Sequence, residues 1–565
     1  MSSLQNRSNS TTPAPAAQAT HMVTNQPPPL ASYNAYARDA ALVEAVAVEG
    51  GGWGREQLSE YGRIAGHELD AIGFAANDNP PVLQAFDRFG HRIDNVQFHP
   101  AYHRSMALAR AHGLHSLTWT ATRPGAQVVR SALFYLHAQF EAGSMCPTTM
   151  THASVPALRQ QPELAEHWLP GVLADSYDPS DAPAARKTGL SIGMGMTEKQ
   201  GGTDVRANTT QATAVAGGPG AAYELIGHKW FLSAPMSDAF LVLAQTARES
   251  EQGPSCFLLP RWRDDGTRNS IEIQRLKNKL GDRSNASAEV EFRGAQAFML
   301  GAPGRGINTI LSMVAQTRLD CMLGSAGLMR QALVQAIHHC RYRHVFGKPL
   351  LEQPLMQNVL ADMALEVEAA IALALRLARA FESADEHEQL LARIATPVGK
   401  YWICKRAPSL INEAQECLGG NGYIEESILP RLYRQAPVNS IWEGSGNVQC
   451  LDLLRAVARK PQALAALHAE LEQAHGLNAA YDAHCARLRD ALADTTDTAA
   501  AAAQARRLCT DIALAFSASI LLRRTASTVG HAFCRARLAE RHGMAFGTLP
   551  LGVDCCSLIE RAAAM

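Results

Sequence analysis

Two segments of the chain carry the residue types best suited to chemistry. Residues 195–205 read GMTEKQGGTDV, and residues 439–455 read NSIWEGSGNVQCLDLLR, with Glu443 as the carboxylate of the second. Because glycine has no side chain to block a ligand, the Gly-Gly turn of the first segment can bring backbone N–H groups against a flat, electron-rich group. By itself, this segment predicts only a turn that holds a flat or anionic ligand.

Several other chemistries are disfavoured because their motifs are missing from the sequence. The twelve cysteines form no C-x-x-C pair and the twenty histidines form no H-E-x-x-H motif, so we expect no metal site. The sequence contains neither a phosphate-binding Walker loop nor a dinucleotide fingerprint. Gly-Ser-Gly at residues 444–446 lacks the G-x-S-x-G spacing of a hydrolase nucleophile.

Composition restricts the class of protein. The 565 residues are 47% hydrophobic and 19% charged, with a formal net charge of −1, as in ordinary soluble proteins of several domains. This balance gives no general attraction to nucleic acid or membrane, and no apolar run is long enough to span a bilayer. The first residues lack the apolar core of a secretory signal. We therefore expect a cytoplasmic protein with no membrane partner.

Hydrophobic periodicity divides the chain into five regions. Residues 1–24 are predicted to be a disordered tail, 25–190 a helical domain, 191–300 a β-domain and 301–455 a helical bundle. A further helical domain is predicted over 456–565, with an alanine-rich stretch at 499–505 that fits either a linker or a helix. A β-domain between helical domains is an unusual order and restricts the candidate folds.

Six motifs occur in one order: GMGMTEKQGGTDV (193–205), GHKWFLS (227–233), KNKLGDRSNASAEVEF (277–292), RYRHVFGKPLLEQPLMQ (341–357), ECLGGNGYIEESILPRLYR (416–434) and NSIWEGSGN (439–447). Together they resemble the acyl-CoA dehydrogenase superfamily and, within it, the AidB branch, named for its induction in the adaptive response to DNA alkylation. The resemblance is specific over residues 25–455 and weaker beyond them.

The resemblance implies a mainly α fold with an inserted β-domain. The family has an N-terminal helical domain, a barrel-like β middle domain and a C-terminal four-helix bundle, to which this chain adds the extra helical domain at 456–565. The resemblance also implies FAD as cofactor and a homotetramer arranged as a dimer of dimers.

In this family, the base that removes the α-proton of an acyl thioester is the glutamate of an aromatic-Glu-Gly-Thr loop. The resemblance places that base at Glu443, and flavin N5 receives the Cβ hydride. A carboxylate beside a flavin and an acyl chain is desolvated, which raises its pKa toward a useful range. Without the resemblance, a solvated loop carboxylate would be the better interpretation. The expected reaction is α,β-dehydrogenation of short or branched acyl-CoA.

The resemblance also assigns the FAD contacts. Thr197 matches the residue at the flavin ring edge, Thr203 the hydroxyl near the phosphates, and Trp230 the aromatic ring beside the flavin. Arg343 matches the arginine that reaches the FAD diphosphate of a neighbouring subunit, a contact for which a guanidinium is well suited. The alternatives are a core tryptophan and a surface cation. The other assigned FAD contacts are Met196, Gly202, Ser233, Phe346, Gln357, Gly419, Gly420, Ser445 and Asn447.

The base loop departs from the family pattern. Trp442 stands where ordinary members have tyrosine, and Ser445 stands where they have threonine. Ala315 replaces an acid three residues before Arg318, the arginine expected near the substrate. A bulky indole narrows the acyl pocket, and loss of the acid weakens contact with the CoA thioester. With Arg318 and Trp442 as substrate contacts, we predict slow dehydrogenation of ordinary acyl-CoA substrates.

Arginines recur in the extra helical domain and just before it. Those assigned to double-stranded DNA are Arg455, Arg506, Arg507, Arg523 and Arg524. Such residues bind phosphate backbones in a salt-dependent, sequence-independent way. On charge alone a solvated helix face is the better interpretation, whereas the resemblance to AidB-type proteins favours DNA. Two functions stay open: an acyl-CoA dehydrogenase, or a DNA-binding alkylation-response protein that protects DNA and in which the flavin site is secondary.

Overall fold

The computed structural model describes residues 20–215, 220–246, 253–493, 498–524, 527–539 and 543–563, without the side chains of residues 498, 524 and 527. Most of the predicted disordered tail, residues 1–24, therefore lies outside the described residues. Within them, the chain passes from helices to a sheet and back to helices, in the order that the hydrophobic periodicity predicts.

Helices dominate the N-terminal part. The elements are α1 (Ala40–Val48), α2 (Arg55–Ile64), α3 (Asp70–Asp78), β1 (Val82–Phe86), β2 (Arg92–Gln97), α4 (Pro100–Ala111), α5 (Leu117–Thr120), α6 (Ala126–Ala138), α7 (Met145–Leu158) and α8 (Pro162–Leu173). Helix α6 is buried along its whole length and forms the centre of this region. The hairpin of β1 and β2 corrects the helical prediction for 25–190. The turn residues that begin at Asp87 are the sequence feature that indicates this hairpin. The Asp87 carboxylate accepts the Phe89 N–H at 2.8 Å.

A seven-stranded sheet forms the middle of the chain. Its strands are β3 (Ile192–Gly195), β4 (Gln211–Ala214), β5 (Ala222–Ser233), β6 (Ala239–Thr246), β7 (Ser255–Pro260), β8 (Ile271–Leu276) and β9 (Ser287–Leu300). Strand β5 pairs antiparallel with β4 and β9, β9 with β7, β7 with β6, and β6 runs parallel to β4. These pairings close the sheet around an apolar interior that includes Leu225, Phe257 and Val290.

The chain then returns to helices. The bundle region contains α9 (Gly306–Tyr342), β10 (His344–Val345), β11 (Lys348–Pro349), α10 (Pro354–Glu382), α11 (Glu386–Leu418), α12 (Leu429–Asn439) and α13 (Gly446–Arg459). The extra region contains α14 (Pro461–Glu472), α15 (Ala479–Ala493), α16 (Thr498–Arg524), α17 (Ser527–Arg537) and α18 (Cys555–Ala562). The alanine-rich stretch at 499–505 lies inside α16, so it is helix rather than linker.

One apolar core joins the helical regions. Leu133 of α6, Leu323 of α9 and Phe516 of α16 belong to the same buried cluster. Helix α18 packs against α1 and α10, where Arg561 forms ion pairs with Glu44 at 2.7 Å and Glu368 at 2.8 Å. The extra region is therefore an integral part of the folded body.

The described ranges contain neither a membrane-spanning helix nor a metal-binding cluster. None of their helices combines the length and apolarity needed to cross a membrane. Within the same ranges, histidine, cysteine and acidic side chains do not gather into a group of three or more that could hold a metal ion.

Candidate active site

The Glu443 carboxyl lies on a tight loop between α12 and α13. Glu443 has a φ of 58° and Gly444 a φ of 95°, a left-handed conformation that is unfavourable for glutamate. Thr317 of α9 donates its hydroxyl to Glu443 Oε2 at 2.8 Å. Burial raises the pKa of Glu443, while the Thr317 hydroxyl, Lys400 and Arg318 oppose the rise. A half-buried carboxyl with a raised pKa, on a residue whose backbone is strained, is typical of a functional site.

Three long side chains hold the backbone of this loop. Lys400 of α11 donates to the carbonyls of residues 442 and 444, at 2.6 and 2.5 Å. Arg318 Nε and Gln449 Nε2 donate to the Glu443 carbonyl at 3.1 and 3.0 Å. Each carbonyl from residue 442 to 444 therefore has a donor, which satisfies the groups that a tight turn leaves unpaired.

The structure places both predicted substrate residues at this loop. Besides holding the Glu443 carbonyl, Arg318 donates NH1 to Asp452 Oδ2 at 2.7 Å and its side chain is only 11% exposed. Two of the three guanidinium nitrogens of Arg318 thus bond within the protein, and contact with substrate stays a prediction. Trp442 is half-buried and donates its indole N–H to Asn439 Oδ1 at 3.0 Å, which fixes the orientation of the ring.

The sheet-side loop, residues 195–205, is organised around a different glutamate. Glu198 and Lys229 form an ion pair of 2.7 Å with both side chains fully buried. The Glu198 carboxylate also accepts the N–H of Thr209 at 2.7 Å and the hydroxyl of Thr210 at 2.6 Å. Burial acts to raise the pKa of Glu198, but Lys229 and these donors prevail and lower it to about 2. This carboxylate is therefore ionised under all ordinary conditions.

The predicted flavin contacts surround that ion pair. The N–H of Trp230, on β5, donates to the Thr197 carbonyl at 2.8 Å, so strand and loop lie side by side. Thr197 and Ser233 are half-buried, as is Met196, whereas Gly202 and Thr203 are exposed.

The sheet-side residues provide contacts that suit FAD. A Cβ on Gly202 would lie 3.1 Å from the Thr197 side chain, so the glycine leaves room for a close approach of the loop to that threonine. The Trp230 ring is half-buried, and the Lys277 ammonium lies 3.2 Å from its centroid. Hydroxyl donors, a glycine turn and an aromatic face suit a flat ring joined to phosphates, so this set of residues fits FAD.

The residues assigned to a neighbouring subunit's FAD lie on another part of the surface. Arg343 follows α9 and donates NH1 to the Asn25 carbonyl at 2.7 Å. Phe346, on the β10–β11 hairpin, is 96% exposed with a φ of 53°. Gln357 lies in α10, and Gly419 and Gly420 follow α11 with open space where a Cβ would stand. Among the described residues, no hydrogen bond joins this set to the Glu443 loop.

Ser445 and Asn447 lie at the start of α13, shortly after Glu443, and both are exposed. Arg506 of α16 donates Nε to Asn447 Oδ1 at 2.8 Å. The extra region therefore contacts the helix that follows the base loop.

The predicted DNA-binding arginines differ in their availability. Arg455 and Arg506 are exposed, as is Arg507, which has Asp511 at 3.8 Å. Arg523 is not a free surface cation, because its guanidinium pairs with the buried Glu470 at 2.6 Å. The side chain of Arg524 lies outside the described residues.

Sequence reasoning missed Thr317, Lys277 and Lys400. Thr317 directly precedes Arg318, and Lys277 is the first residue of a motif that carried the resemblance. The sequence could therefore have indicated both residues. Lys400 gave no signal, since it is a single lysine in a helical run and its contact with residue 442 spans 42 positions.

Comparison with known proteins gave matches along most of the chain. Three family models match in order: Adaptive response protein AidB N-terminal domain over residues 25–179, acyl-CoA dehydrogenase, middle domain over 193–295, and acyl-CoA dehydrogenase, C-terminal domain over 304–458. The AidB protein of Escherichia coli (strain K12), whose name assigns it provisionally to the acyl-CoA dehydrogenases, is 47% identical over 93% of this chain and 96% of its own.

Two further matches come from Caenorhabditis elegans. Acyl-CoA dehydrogenase family member 11 is 33% identical over 74% of this chain and 69% of its own. The crystal structure of ACDH-11 in complex with C11-CoA superposes with a TM-score of 0.84 at 27% identity, covering 94% of this chain and 96% of that one. Both the helical regions and the sheet thus have counterparts in a solved structure.

Proposed function

Because the chain belongs to the acyl-CoA dehydrogenase family, as a member of its AidB branch, we propose that it dehydrogenates short or branched acyl-CoA thioesters between Cα and Cβ. The observation that carries the proposal is the Glu443 carboxyl. It is half-buried, its pKa is raised, and Thr317 orients one of its oxygens. These are the properties required of a base that removes a weakly acidic α-proton near neutral pH.

The proton goes to the free oxygen of Glu443. Oε2 accepts the Thr317 hydroxyl at 2.8 Å, whereas Oε1 has no hydrogen bond within the described part of the chain and is available to the substrate. The loop carbonyls are held by Lys400, Arg318 and Gln449, so the carboxylate keeps one orientation during proton transfer. The cofactor is FAD, on which this family depends, and when bound it supplies the acceptor for the hydride from Cβ.

Residues on two surfaces would hold that cofactor. Thr197, Thr203 and Trp230 would bind it on the sheet side, with Met196, Gly202 and Ser233 shaping the turn. Arg343, Phe346, Gln357, Gly419 and Gly420 would reach the cofactor of a neighbouring subunit, which makes a homotetramer part of the proposal. The exposure of Phe346, together with Leu355 at 75% and Tyr423 at 83%, supports an assembly that covers this surface.

The substrate preference follows from the residue before the base. The Trp442 ring is fixed by Asn439 and occupies more volume than the tyrosine of ordinary family members, so short or branched acyl chains are favoured and turnover is slow. We place this chemistry in the cytoplasm, where the twelve free cysteines would stay reduced.

Anaerobic mixing of the FAD-loaded protein with a panel of acyl-CoA thioesters tests the proposal. The panel contains isovaleryl-, isobutyryl-, butyryl- and palmitoyl-CoA, with free CoA as the control that offers no acyl chain. We expect loss of the oxidised flavin absorbance with the first three, over seconds to minutes, and none with palmitoyl-CoA or CoA. Absence of bleaching with every thioester would refute the dehydrogenase proposal.

A second candidate function, binding of double-stranded DNA, is favoured by the exposed arginines on α13 and α16. Arg455, Arg506 and Arg507 are exposed, and the helices that carry them pack against each other. Cations on such a surface attract phosphate backbones without sequence preference.

This second function is tested on the full chain, because the extra region shares its core with the bundle. In a duplex retention assay at rising salt, Arg506→Glu and Arg507→Glu together should weaken binding and reduce its salt dependence. Arg88→Glu, in the exposed turn of the β1–β2 hairpin, is the matched control. Equal retention by all three proteins would exclude this surface.

A further inference from the structure

Lys400 has an unusual position for a lysine. It lies within α11 with only 1% of its surface exposed, and its ammonium donates to the carbonyls of residues 442 and 444 at 2.6 and 2.5 Å. Within the ranges that the structure describes, it forms no ion pair with a carboxylate. A buried ammonium requires compensation, and here the compensation comes from two backbone carbonyls.

Those two carbonyls flank the base. Glu443 and Gly444 both have left-handed backbone, with φ of 58° and 95°. In this turn the carbonyl oxygens of residues 442 and 444 both point to the Lys400 ammonium. The Glu443 carbonyl points away from that ammonium, to Arg318 Nε at 3.1 Å and Gln449 Nε2 at 3.0 Å. Donors on two sides of the loop thus hold its left-handed conformation. Of the donors Lys400, Arg318 and Gln449, only Lys400 is a fully buried charge on a long helix.

From this geometry we propose that Lys400 is a positioning residue for the Glu443 base, acting through the two carbonyls that flank it. Lys400 does not touch the carboxylate by a hydrogen bond and does not take the substrate proton. It keeps the loop in the conformation that presents Oε1, and its positive charge favours the ionised carboxylate. The inference rests on the proposed dehydrogenase function for its catalytic meaning, whereas the effect on the loop is independent of it.

The first test measures the loop without any substrate. Backbone amide exchange of residues 440–450 is followed by mass spectrometry in the FAD-loaded wild type, Lys400→Met and Lys405→Met. Lys405 lies on the same helix, is exposed, and packs near Gly446, so it controls for loss of a lysine beside this loop. We expect exchange about tenfold faster in K400M and unchanged exchange in K405M. Equal exchange in K400M and wild type would overturn the proposal.

The second test separates positioning from a general loss of structure. Flavin bleaching by isovaleryl-CoA and butyryl-CoA is measured against pH. The Thr317 hydroxyl, Lys400 and Arg318 lower the pKa of Glu443 against the effect of burial. The thiols of Cys146 and Cys321 also interact with its charge. Removing the Lys400 charge raises the pKa of Glu443, so the acid limb of the rate profile should move to higher pH in K400M. Lys400→Arg keeps the positive charge and should return the acid limb to its wild-type pH. A lower rate with an unmoved limb would reduce Lys400 to a structural residue.

The two tests also distinguish the failure of each idea. If neither thioester bleaches the wild type, the dehydrogenase function fails, and amide exchange alone decides the role of Lys400. If the wild type is bleached and either the exchange or the acid limb is unchanged in K400M, the Lys400 proposal fails by itself. Should K400M not fold, Lys400→Gln, which keeps one donor without the charge, replaces it in both measurements.

Discussion

Two glutamates of this chain lie on glycine-containing loops next to a buried lysine, and their environments are opposite. At Glu198, the ammonium of Lys229 lies 2.7 Å from the carboxylate and the pKa is lowered to about 2. At Glu443, the ammonium of Lys400 donates to the neighbouring carbonyls at 2.6 and 2.5 Å. Within the described ranges the carboxylate receives one hydrogen bond, from the Thr317 hydroxyl, and its pKa is raised.

The contrast shows how the position of one ammonium separates a structural carboxylate from a reactive one. Protonating Glu198 would leave the buried charge of Lys229 without its carboxylate partner, so Glu198 stays ionised near neutral pH. Glu443 can be protonated without that loss, because Lys400 is already compensated by carbonyls. The same residue types therefore build a rigid loop at Glu198 and the environment that we propose for a base at Glu443.

Glu443→Gln should have the largest effect on the rate of flavin bleaching. The amide cannot accept a proton, so the rate of flavin bleaching should fall by about 10²–10⁴-fold, while thermal stability and FAD content stay close to wild type. Stopped-flow absorbance with isovaleryl-CoA measures the rate. Glu426→Gln, at an exposed glutamate, should leave it unchanged. A Glu443→Gln protein with more than about a tenth of the wild-type rate would contradict the assignment of the base.

Glu198→Gln should act on stability. It leaves Lys229 buried with the Leu243 carbonyl at 2.8 Å in place of a carboxylate, so we expect a loss of about 3–5 kcal/mol in urea unfolding at neutral pH. The folded pKa of Glu198, about 2, lies below its usual value of 4.5. Its stabilisation is thus present above the usual value and is lost as pH falls toward about 2. A loss at neutral pH that stays constant down that range would contradict this account.

The pH dependence of the bleaching rate should report the ionisation of Glu443. Because burial raises the pKa of Glu443 above its usual value of 4.5, bleaching should slow as pH falls through that raised pKa, since only the ionised carboxylate accepts a proton. The measurement is the bleaching rate between about pH 5 and pH 9. A rate independent of pH over this range would show that proton abstraction does not limit the reaction.

Thr317→Val should give the smallest effect. Losing the hydroxyl that donates to Glu443 Oε2 at 2.8 Å removes one influence that lowers the pKa of Glu443, so the acid limb should move to higher pH. Thr317→Ser keeps a hydroxyl and should return the limb to its wild-type position. A Thr317→Val limb at the wild-type pH would show that this hydrogen bond is absent while the substrate is bound.

Much of the architecture was predictable. The order of helical, β and helical regions, the family and the FAD cofactor are confirmed, because hydrophobic periodicity and six motifs are local properties of the sequence. The hairpin of β1 and β2 was missed, since its strands are short and expose Val82 and Phe86 at 64% and 51%, which weakens their alternation. DNA binding, the homotetramer and cytoplasmic location stay proposals.

The amino-acid sequence establishes which residues stand at the two loops and, through the resemblance, predicts which glutamate is the base. The environment of each glutamate depends on the tertiary structure. Lys229 is separated from Glu198 by 31 positions, and Lys400 reaches residue 442 across 42. A protonation equilibrium depends on distances of a few ångströms between charges and donors, and such distances arise when β5 and α11 pack beside the two loops.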